Sequence, residues 1–278
     1  MSDRLESVQG AVAVVTGGAA GIGLAMARRF SAEGAAHVVV ADVDVSSARS
    51  AVKTFAGPAT TAHLDVTDAD AVGALIDEVE STVGPIGLWC GNAGVLRGSG
   101  LGEPADWRSS WAVHVDAQVT AARVLSPRMS ARGGGRLVLV ASAAGLLTSL
   151  DSAPYAVTKH ATVALAEWLA ITYADDGINV HCVCPQAVHT AMTVGAADTL
   201  AVAGQLMEPD DVAEALIRAI EQQRFLVLPH PEVADYERQR TADRDRWLTG
   251  MKRLRRTLPS VVGPPSPNSA GVRRTDAS

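Results

Sequence analysis

The sequence predicts a doubly wound α/β fold, in which helices cover both faces of a parallel β-sheet. Three observations favour this class: apolar strand-like runs alternate with helical segments, a glycine-rich turn follows the first run, and a carboxylate ends the second. The chain has 278 residues, of which 47% are hydrophobic and 19% are charged. It is therefore able to bury one large core, and its composition excludes disorder over most of its length.

The strands are predicted from seven short runs of apolar, mostly β-branched residues. Most of these runs are continuously apolar, which is typical of strands that are buried on both faces. The predicted strands span residues 11–16, 37–41, 60–64, 87–90, 136–142, 178–184 and 224–228. Apolar residues at helical spacing between them predict right-handed strand–helix–strand units, and hence one seven-stranded parallel sheet.

The domain organisation is predicted from a change of composition near residue 230. Residues 1–230 are expected to form the α/β domain. Residues 231–258 are charged with sparse apolar side chains, so we expect them to form an amphipathic helical extension. Residues 259–278 are rich in Pro, Ser, Gly and Ala and are predicted to be a disordered tail.

The charge distribution narrows the choice of partners. The net charge is −6, and six of the 24 basic residues lie within residues 251–278. The acidic remainder of the chain argues against nucleic acid as the main partner. The basic end is interpreted as a solvated terminus, with contact to an acidic surface as the alternative.

The number of cysteines and the residues at the N-terminus predict the cellular compartment. Three cysteines are too few for a disulfide framework, which favours a reducing compartment. Asp3, Arg4 and Glu6 stand where a signal peptide would need an apolar run, and no apolar run is long enough to span a bilayer. The histidines and cysteines do not show metal-ligand spacing. We therefore expect a soluble, cytoplasmic protein without membrane contact and without a metal site.

A glycine-rich turn, Thr16 to Gly23, follows the first predicted strand and opens the first helix. Glycine is needed where a strand turns sharply into a helix and phosphate oxygens approach bare backbone N–H groups. The spacing here is G-x-x-x-G-x-G rather than the commoner G-x-G-x-x-G. Its place at the first strand–helix junction predicts a dinucleotide site that includes Gly17, Gly21, Ile22 and Gly23.

Acidic residues end the second and third predicted strands. Asp42 lies 19 residues beyond Gly23, where a carboxylate accepts hydrogen bonds from the adenosine ribose. The alternative is that Asp42 caps the next turn, and Asp44 is a second candidate for the ribose. Asp65, which precedes Val66, is suited either to the adenine amino group or to capping the next helix.

Tyr155 and Lys159 stand four residues apart at the start of a predicted helix and therefore share a face. A phenol has a pKa of about 10, and a neighbouring ammonium favours the phenolate, so we expect Lys159 to lower the pKa of Tyr155. Ser142 ends the fifth predicted strand, at the edge where an open parallel sheet presents groups to its ligand. These three residues form a candidate acid–base site.

Together with one more motif, these features resemble the short-chain dehydrogenase/reductase family. The matching motifs are the glycine turn, Asn92-Ala93-Gly94, Ser142 and Tyr155-x-x-x-Lys159. The resemblance covers about residues 8–230 and implies a three-layer α/β/α Rossmann fold. It also implies that Asn92, Ala93 and Gly94 meet the cofactor at the end of the fourth strand.

The resemblance assigns a role to each residue of the candidate site. Tyr155 would donate or accept the proton, Ser142 would hydrogen-bond the substrate oxygen, and Lys159 would bind the nicotinamide ribose. After the sixth predicted strand, Thr190 matches the threonine that contacts the nicotinamide carboxamide. Val188 matches the position whose backbone seats the nicotinamide ring.

The chain departs from the family pattern at three positions. Gly91 stands where a further asparagine is expected, which implies the loss of a side chain that braces the strand. Gln186 replaces the glycine of a Pro-Gly pair, so its side chain is expected to crowd or polarise the nicotinamide pocket. His114 stands where the fourth catalytic residue, an asparagine, is expected to hold a water through its backbone carbonyl. The His114 imidazole is expected either to pass protons near pH 6–7 or to serve packing alone.

The leading hypothesis is an oxidoreductase that transfers a hydride between NAD and a secondary alcohol or ketone. NAD is expected as the cofactor because the Asp42 carboxylate would repel the 2′-phosphate of NADP. The alternatives are a non-catalytic dinucleotide-binding regulator, and a lyase or epimerase on the same fold. The resemblance further implies a homodimer or homotetramer that pairs two long helices, at about residues 104–130 and 153–175.

Two segments are expected to close the substrate pocket. The segment Ala191–Met207 follows the sixth strand, and the loop before Tyr155 includes Leu146, Leu147 and Leu150. Neither segment offers a Lys or Arg that would clamp a carboxylate or phosphate. We therefore expect a small-molecule substrate that is apolar and uncharged around its reacting carbon, with packing against a neighbouring subunit as the alternative role of these segments.

Overall fold

The computed structural model describes residues 7–193 and 206–257, which build a seven-stranded parallel sheet with helices on both faces. The strands are β1 (Val12–Thr16), β2 (His37–Asp42), β3 (Ala59–His63), β4 (Ile86–Gly91), β5 (Gly135–Val140), β6 (Ile178–Val183) and β7 (Leu226–Val227). Their order across the sheet is β3-β2-β1-β4-β5-β6-β7, and every neighbouring pair is parallel. The prediction of a doubly wound Rossmann fold is therefore confirmed.

Helices connect the strands and extend beyond the last of them. They are α1 (Gly21–Ala32), α2 (Val45–Val52), α3 (Ala69–Thr82), α4 (Pro104–Trp111), α5 (Ala117–Ala131), α6 (Ala153–Thr172), α7 (Pro209–Glu221), α8 (Glu232–Ala242) and α9 (Arg244–Thr257). No helix in the described part of the chain is long and apolar enough to cross a membrane. Residues 194–205, within the predicted pocket-closing segment, and the predicted tail at 259–278 lie outside the described residues.

Two hydrophobic cores lie on opposite faces of the sheet, because successive side chains of a strand point to opposite sides. Val12 and Val14 face one core, which is completed by α3, α5 and α6. Ala13 and Val15 face the other core, where α1 and α7 pack and Phe30 is fully buried. Burial of a large apolar side chain such as Phe30 contributes about 1.5–3 kcal/mol. Because the strands are apolar on both faces, they stabilise the packing of a helical layer on each side of the sheet.

The three cysteines are core residues. Cys182 of β6 and Cys184, just after β6, face the first core with their sulfur atoms 3.8 Å apart, and Cys90 faces the second core from β4. All three thiols are unpaired and buried. The interpretation of Cys182 and Cys184 as core residues is thus confirmed.

The long helix predicted over residues 104–130 is interrupted in its middle. It begins at Pro104 with a reciprocal cap, in which the side chains of Glu103 and Asp106 bond each other's backbone N–H groups. Between α4 and α5, the chain makes one π-helical turn over Ala112–Asp116, which accommodates an extra residue. This turn places His114 in the interior, beside α6.

The carboxyl ends of the strands form the edge that bears the candidate site. The chain leaves β1 towards β2 on one side, while β4 lies on the other side of β1. A crevice therefore opens between the loops that follow β1 and β4, which is where ligands bind in open α/β sheets.

Candidate functional site

The glycine-rich turn between β1 and α1 has a shape that side chains would prevent. Gly17 and Gly21 have φ angles of 61° and 54°, in the left-handed region. A Cβ atom at Gly23 would lie 2.2 Å from the carbonyl oxygen of Gly17. The N-cap residue of α1, Ala20, makes no side-chain hydrogen bond, and the first turn has no acidic residue. The first N–H groups of α1 therefore form a donor set that suits a pyrophosphate.

Asn92 joins the end of β4 to the glycine turn. Its Nδ2 donates to the carbonyl oxygens of Thr16 and Gly17, at 3.0 and 2.9 Å. The Thr16 hydroxyl oxygen accepts from the backbone N–H groups of Asn92 and Ala93, at 3.1 and 3.2 Å. Val66, from the loop after β3, lines a small cleft beside Thr16 and Ala93. These predicted cofactor residues are therefore neighbours around one crevice.

The Asp42 carboxylate lies at the end of β2, next to the glycine turn. It accepts the backbone N–H of Ala19 at 3.0 Å and the backbone N–H of Asp44 at 2.9 Å. Asp44 instead caps α2 by accepting the backbone N–H of Ser47 at 3.1 Å. The hydrogen bonds of the Ser47 and Ser46 side chains, and then this backbone bond, lower the pKa of Asp44 to about 2. Asp42 braces the turn with its carboxylate, and Asp44 has a separate role in the helix cap.

Asp65 organises the loop that follows β3. Its Oδ1 accepts the backbone N–H and the hydroxyl of Thr67, at 2.9 and 2.7 Å, and these bonds lower the pKa of the carboxyl. The N-cap of α3 is Asp68, whose Oδ1 accepts from the backbone N–H groups of Asp70 and Ala71. Helix capping therefore belongs to Asp68, and the pairing of Asp65 with adenine stays a prediction.

Ser142, Tyr155 and Lys159 meet at the edge of the sheet, near the carboxyl ends of β5 and β6. The side chain of Ser142 lies near enough to the Tyr155 hydroxyl to influence its ionisation. The Lys159 Nζ lies 5.7 Å from the centre of the Tyr155 ring and donates to the carbonyl oxygen of Val140 at 2.9 Å. The Ser142 hydroxyl also lies 3.5 Å from the carbonyl oxygen of Pro185, in the loop after β6.

Burial governs the ionisation of Tyr155 and Lys159. Burial raises the pKa of Tyr155, an effect that outweighs the opposite effect of the nearby Ser142 side chain. Burial also lowers the pKa of Lys159 to about 8. The pKa of Tyr155 is thus raised, which is opposite to the direction expected from a neighbouring ammonium, because desolvation dominates. Tyr155 is a neutral phenol at pH 7, which is the form that donates a proton.

His114 is buried in the π-helical turn, with both ring nitrogens engaged. Its Nε2 accepts the backbone N–H of Val95 at 3.0 Å, and its Nδ1 lies 2.8 Å from the Thr158 hydroxyl oxygen. An accepting nitrogen has no proton, so the ring is neutral and protonated at Nδ1. Burial, together with the nearby Lys159, lowers the pKa of His114 to about 2. The expectation that the imidazole passes protons near pH 6–7 is therefore wrong.

Gln118, which the sequence reasoning did not select, fills the space beside Gly91. Its Nε2 donates to the carbonyl oxygen of Gly91 at 3.0 Å. A Cβ atom at Gly91 would lie 1.9 Å from the Gln118 Oε1. The side chain that braces the end of β4 thus comes from α5 rather than from β4 itself. A glutamine four residues after His114, one turn along the helix, was the available signal.

The loop after β6 approaches the glycine turn. A Cβ atom at Gly21 would lie 3.1 Å from the Thr190 Cγ2, and both residues line an open cavity of about 680 Å³. Val188 is buried and forms a parallel bridge with Met207. Gln186 donates its backbone N–H to the Nδ1 of His230 at 3.2 Å. The effect of the Gln186 side chain on the nicotinamide pocket stays a prediction.

The loop between β5 and α6 offers less apolar pocket surface than predicted. Leu146 and Leu147 are 7% and 9% exposed and belong to the first core. The loop is drawn inward because Gly145 packs against α6, where a Cβ atom would lie 2.6 Å from the Lys159 carbonyl oxygen. Leu146 and Leu147 are therefore core residues and Leu150 is half-buried, and the role of this loop in closing a substrate pocket stays a prediction.

Comparison with known proteins agrees with this geometry. The family model described as short chain dehydrogenase matches residues 11–201. A 1-deoxy-11-beta-hydroxypentalenate dehydrogenase from Streptomyces exfoliatus is 35% identical over 237 residues, which cover 81% of this chain and 85% of that protein.

Two solved structures extend the comparison to bound cofactors. A short-chain dehydrogenase/reductase from Burkholderia phymatum in complex with NAD has a TM-score of 0.78 and 27% identity, over 86% of this chain and 96% of the other. L-sorbose reductase from Gluconobacter frateurii, complexed with NADPH and L-sorbose, has a TM-score of 0.71 and 27% identity, over 81% and 96%.

The fold and the site define the class of oxidoreductases that bind a nicotinamide dinucleotide. Within that class, the chain belongs to the short-chain dehydrogenase/reductase family. The bare N–H groups of α1 and the Asp42 carboxylate are the residues that suit such a dinucleotide here.

Proposed function

We propose that this protein is an NAD-dependent dehydrogenase/reductase that interconverts a secondary alcohol and a ketone. The observation that carries the proposal is that Ser142 and Tyr155 meet beside Lys159, at the same sheet edge as the glycine turn. A bound nicotinamide supplies the hydride chemistry. The chain itself supplies the position of the substrate oxygen and the route of the proton.

Each residue of the site has a definite task in this proposal. In the direction of reduction, the Tyr155 hydroxyl, which its raised pKa keeps protonated at pH 7, donates its proton to the substrate oxygen. The Ser142 hydroxyl hydrogen-bonds the same oxygen, and Lys159 binds the nicotinamide ribose. The His114 carbonyl oxygen, which accepts from the Thr162 hydroxyl at 3.0 Å, is proposed to hold a water in the proton route.

The preference for NAD is supported by the surroundings of Asp42. Its carboxylate lies beside the backbone of the glycine turn, where a 2′-phosphate on the adenosine ribose would meet a like charge. Ala20 and Val43 stand at the positions where a compensating Lys or Arg would be needed. The two solved relatives hold NAD and NADPH respectively, so this chain's own residues carry the argument.

The proposed substrate is a small molecule that is uncharged around its reacting carbon. Support comes from the sequence of the pocket-closing segments, in which Asp198 and Asp151 are the only charges. Arg97, the nearest basic residue in the sequence after Gly94, has an exposed side chain and holds Ser152 through its backbone carbonyl at 3.1 Å. In this region Arg97 therefore contributes a hydrogen bond of its backbone carbonyl, while its charged side chain is exposed.

A homo-oligomer is supported by exposed apolar side chains on the outer helices. Trp168 and Ile171 of α6 are 56% and 79% exposed, and Trp111 of α4 and Val157 of α6 are also exposed. A second copy of the chain, paired through α4, α5 and α6, would cover them. A cytoplasmic location remains part of the proposal, supported by the three unpaired thiols.

The test of the catalytic proposal is a pair of matched substitutions in α6 and at its end. Tyr155→Phe should lower turnover by about 10²–10⁴-fold, while the Kd for NAD changes only a few-fold. Tyr173→Phe makes the same chemical change outside the site and should leave turnover intact. The assay follows nicotinamide absorbance with a panel of neutral alcohols and ketones, and with hydroxy acids of equal size.

Each alternative has its own outcome in that assay. Tight NAD binding without turnover of any alcohol or ketone would favour the non-catalytic regulator. Conversion of a substrate without net change in nicotinamide would favour a lyase or epimerase. Full activity of Tyr155→Phe would contradict the assignment of Tyr155.

A further inference from the structure

One buried ring, the His114 imidazole, contacts three parts of the site. Its Nε2 accepts the backbone N–H of Val95, in the loop after β4, at 3.0 Å. Its Nδ1 lies 2.8 Å from the Thr158 hydroxyl oxygen of α6. The edge of the ring meets the Tyr155 ring in a T-shaped contact, with 5.6 Å between centroids and 88° between planes. Only 1% of His114 is exposed, so these contacts are not in competition with solvent.

Hydrogen bonds on both sides of the ring, joined by short stretches of backbone, connect the glycine turn to the catalytic helix. At one end, the Ala93 N–H donates to the Thr16 hydroxyl. Two residues further, the Val95 N–H donates to the imidazole. At the other end, the Thr158 hydroxyl donates to the carbonyl oxygen of Pro154 at 2.7 Å, next to Tyr155. The Thr158 oxygen is therefore free to accept the Nδ1 proton, which fixes the tautomer.

We propose that the His114 imidazole is a positioning residue, which holds the loop after β4 against α6 and fixes the Tyr155 ring. This inference rests on the proposed function, in which Tyr155 is the acid–base group. It concerns the side chain, whereas the family resemblance assigns a role to the backbone carbonyl of this position. Holding both the Val95 N–H and the Thr158 hydroxyl oxygen requires one acceptor and one donor in fixed relative positions, which the neutral imidazole ring provides.

The donor–acceptor requirement makes the inference testable by substitution. Glutamine offers an amide oxygen to Val95 and an amide N–H to Thr158, whereas leucine offers neither. His114→Leu should lower kcat by about 10- to 100-fold, because a displaced acid–base group loses its alignment. The Kd for NAD should stay within about 3-fold, since the bonds of Asn92 and Ala93 to Thr16 do not involve the ring. His114→Gln should restore kcat to within about 3-fold of the unaltered protein.

A second pair of variants tests the same contact from α6. Thr158→Val keeps the shape of the side chain but removes its hydroxyl, and Thr158→Ser keeps the hydroxyl. We expect kcat to fall in Thr158→Val and to be retained in Thr158→Ser. The double variant His114→Leu/Thr158→Val should be no slower than His114→Leu alone, because each change removes the same hydrogen bond between His114 and Thr158.

Amide hydrogen exchange resolved to single residues provides a measurement that does not depend on turnover. The Val95 amide should be protected in the unaltered protein and should exchange at least about 10-fold faster in His114→Leu, since its acceptor is gone. The Ala93 amide, bonded to Thr16, should keep its rate. If no substrate is found, the proposed function fails, while this measurement still decides the role of the ring.

Three results would overturn the inference. The first is a kcat of His114→Leu within 2-fold of the unaltered protein, and the second is His114→Gln as slow as His114→Leu. The third is unchanged exchange of the Val95 amide. Should His114→Leu fail to fold, equal kcat values in Thr158→Val and Thr158→Ser would overturn it.

Discussion

The two halves of the candidate site are built by different means. The nucleotide half consists largely of backbone: glycines with positive φ, the open N-terminus of α1, and the bonds of Asn92 to the turn. The catalytic half consists of side chains that are buried and have shifted pKa values, with Lys159 and His114 as the clearest cases. One half depends on the space around the backbone, and the other depends on desolvation.

This difference teaches which perturbations each half should feel. A turn that is built from backbone fails when a Cβ atom is added, whatever the pH. A site that is built from buried ionisable groups keeps its shape but changes with protonation. Substitutions and pH therefore probe the two halves separately.

The largest effect is expected from Gly23→Ala, in the nucleotide half. The added Cβ would lie 2.2 Å from the Gly17 carbonyl oxygen and 2.4 Å from the Asn92 Nδ2, so the turn has to move. We expect a loss of about 3 kcal/mol in the free energy of unfolding, and loss of NAD binding. Urea unfolding and calorimetric titration measure both.

The matched control for that substitution is Gly73→Ala in α3, where a Cβ would meet nothing within 4 Å. There the change should stabilise the protein by about 0.5–1 kcal/mol through helix propensity. Equal effects of the two substitutions would contradict the account of the turn.

The next effect is a pH dependence that arises in the catalytic half. The pKa of Lys159 is lowered from 10.5 to about 8, so between these values the unfolded chain binds more protons than the folded protein. Its burial therefore destabilises the fold fully below pH 8, and this cost disappears as the pH rises to about 10.5. Relative to Lys159→Met, the unaltered protein should gain up to about 3 kcal/mol over this range.

Lys53→Met is the control for this measurement, because Lys53 is exposed. Its free energy of unfolding should follow that of the unaltered protein at every pH. The account of Lys159 fails if the curves for Lys159→Met and the unaltered protein run parallel from pH 8 to 10.5.

A smaller effect is expected where the two halves meet, at Gly91 and Gln118. In Gly91→Ala, the new Cβ displaces the Gln118 side chain and breaks its bond to the Gly91 carbonyl, at a cost of about 2 kcal/mol. Gln118→Ala removes the colliding atoms. The double variant should therefore be more stable than the sum of the single effects predicts. Additive free energies of unfolding would argue against this compensation.

The smallest effect concerns the choice of cofactor. Asp42→Asn keeps an oxygen for the Ala19 N–H but removes the charge, so the ratio of kcat/KM for NAD over NADP should fall about tenfold. Asp44→Asn removes a neighbouring charge from the α2 cap and should leave this ratio unchanged. A ratio near one in the unaltered protein would refute the proposed preference for NAD.

The same division explains what the sequence predicted and what it did not. The strands, the turn at Gly17–Gly23 and the place of Asp42 obey local rules of period and backbone conformation, so they could be predicted. The contact of Val95 with His114 and that of Gly91 with Gln118 join residues 19 and 27 positions apart. No local pattern specifies such contacts. The raised pKa of Tyr155 likewise depends on burial, which only the packed structure defines.

The π-helical turn at Ala112–Asp116 has a consequence for the helices on either side of it. One extra residue in a helix rotates everything after it by about 100°. The π-helical turn thus allows α4 to pack against α6 while α5 packs against α3. A chain shorter by one residue here would make a continuous helix and turn the core face of α5 away from α3. The extra residue changes the helical phase, so that two parts of one helical segment pack against different helices, α4 against α6 and α5 against α3.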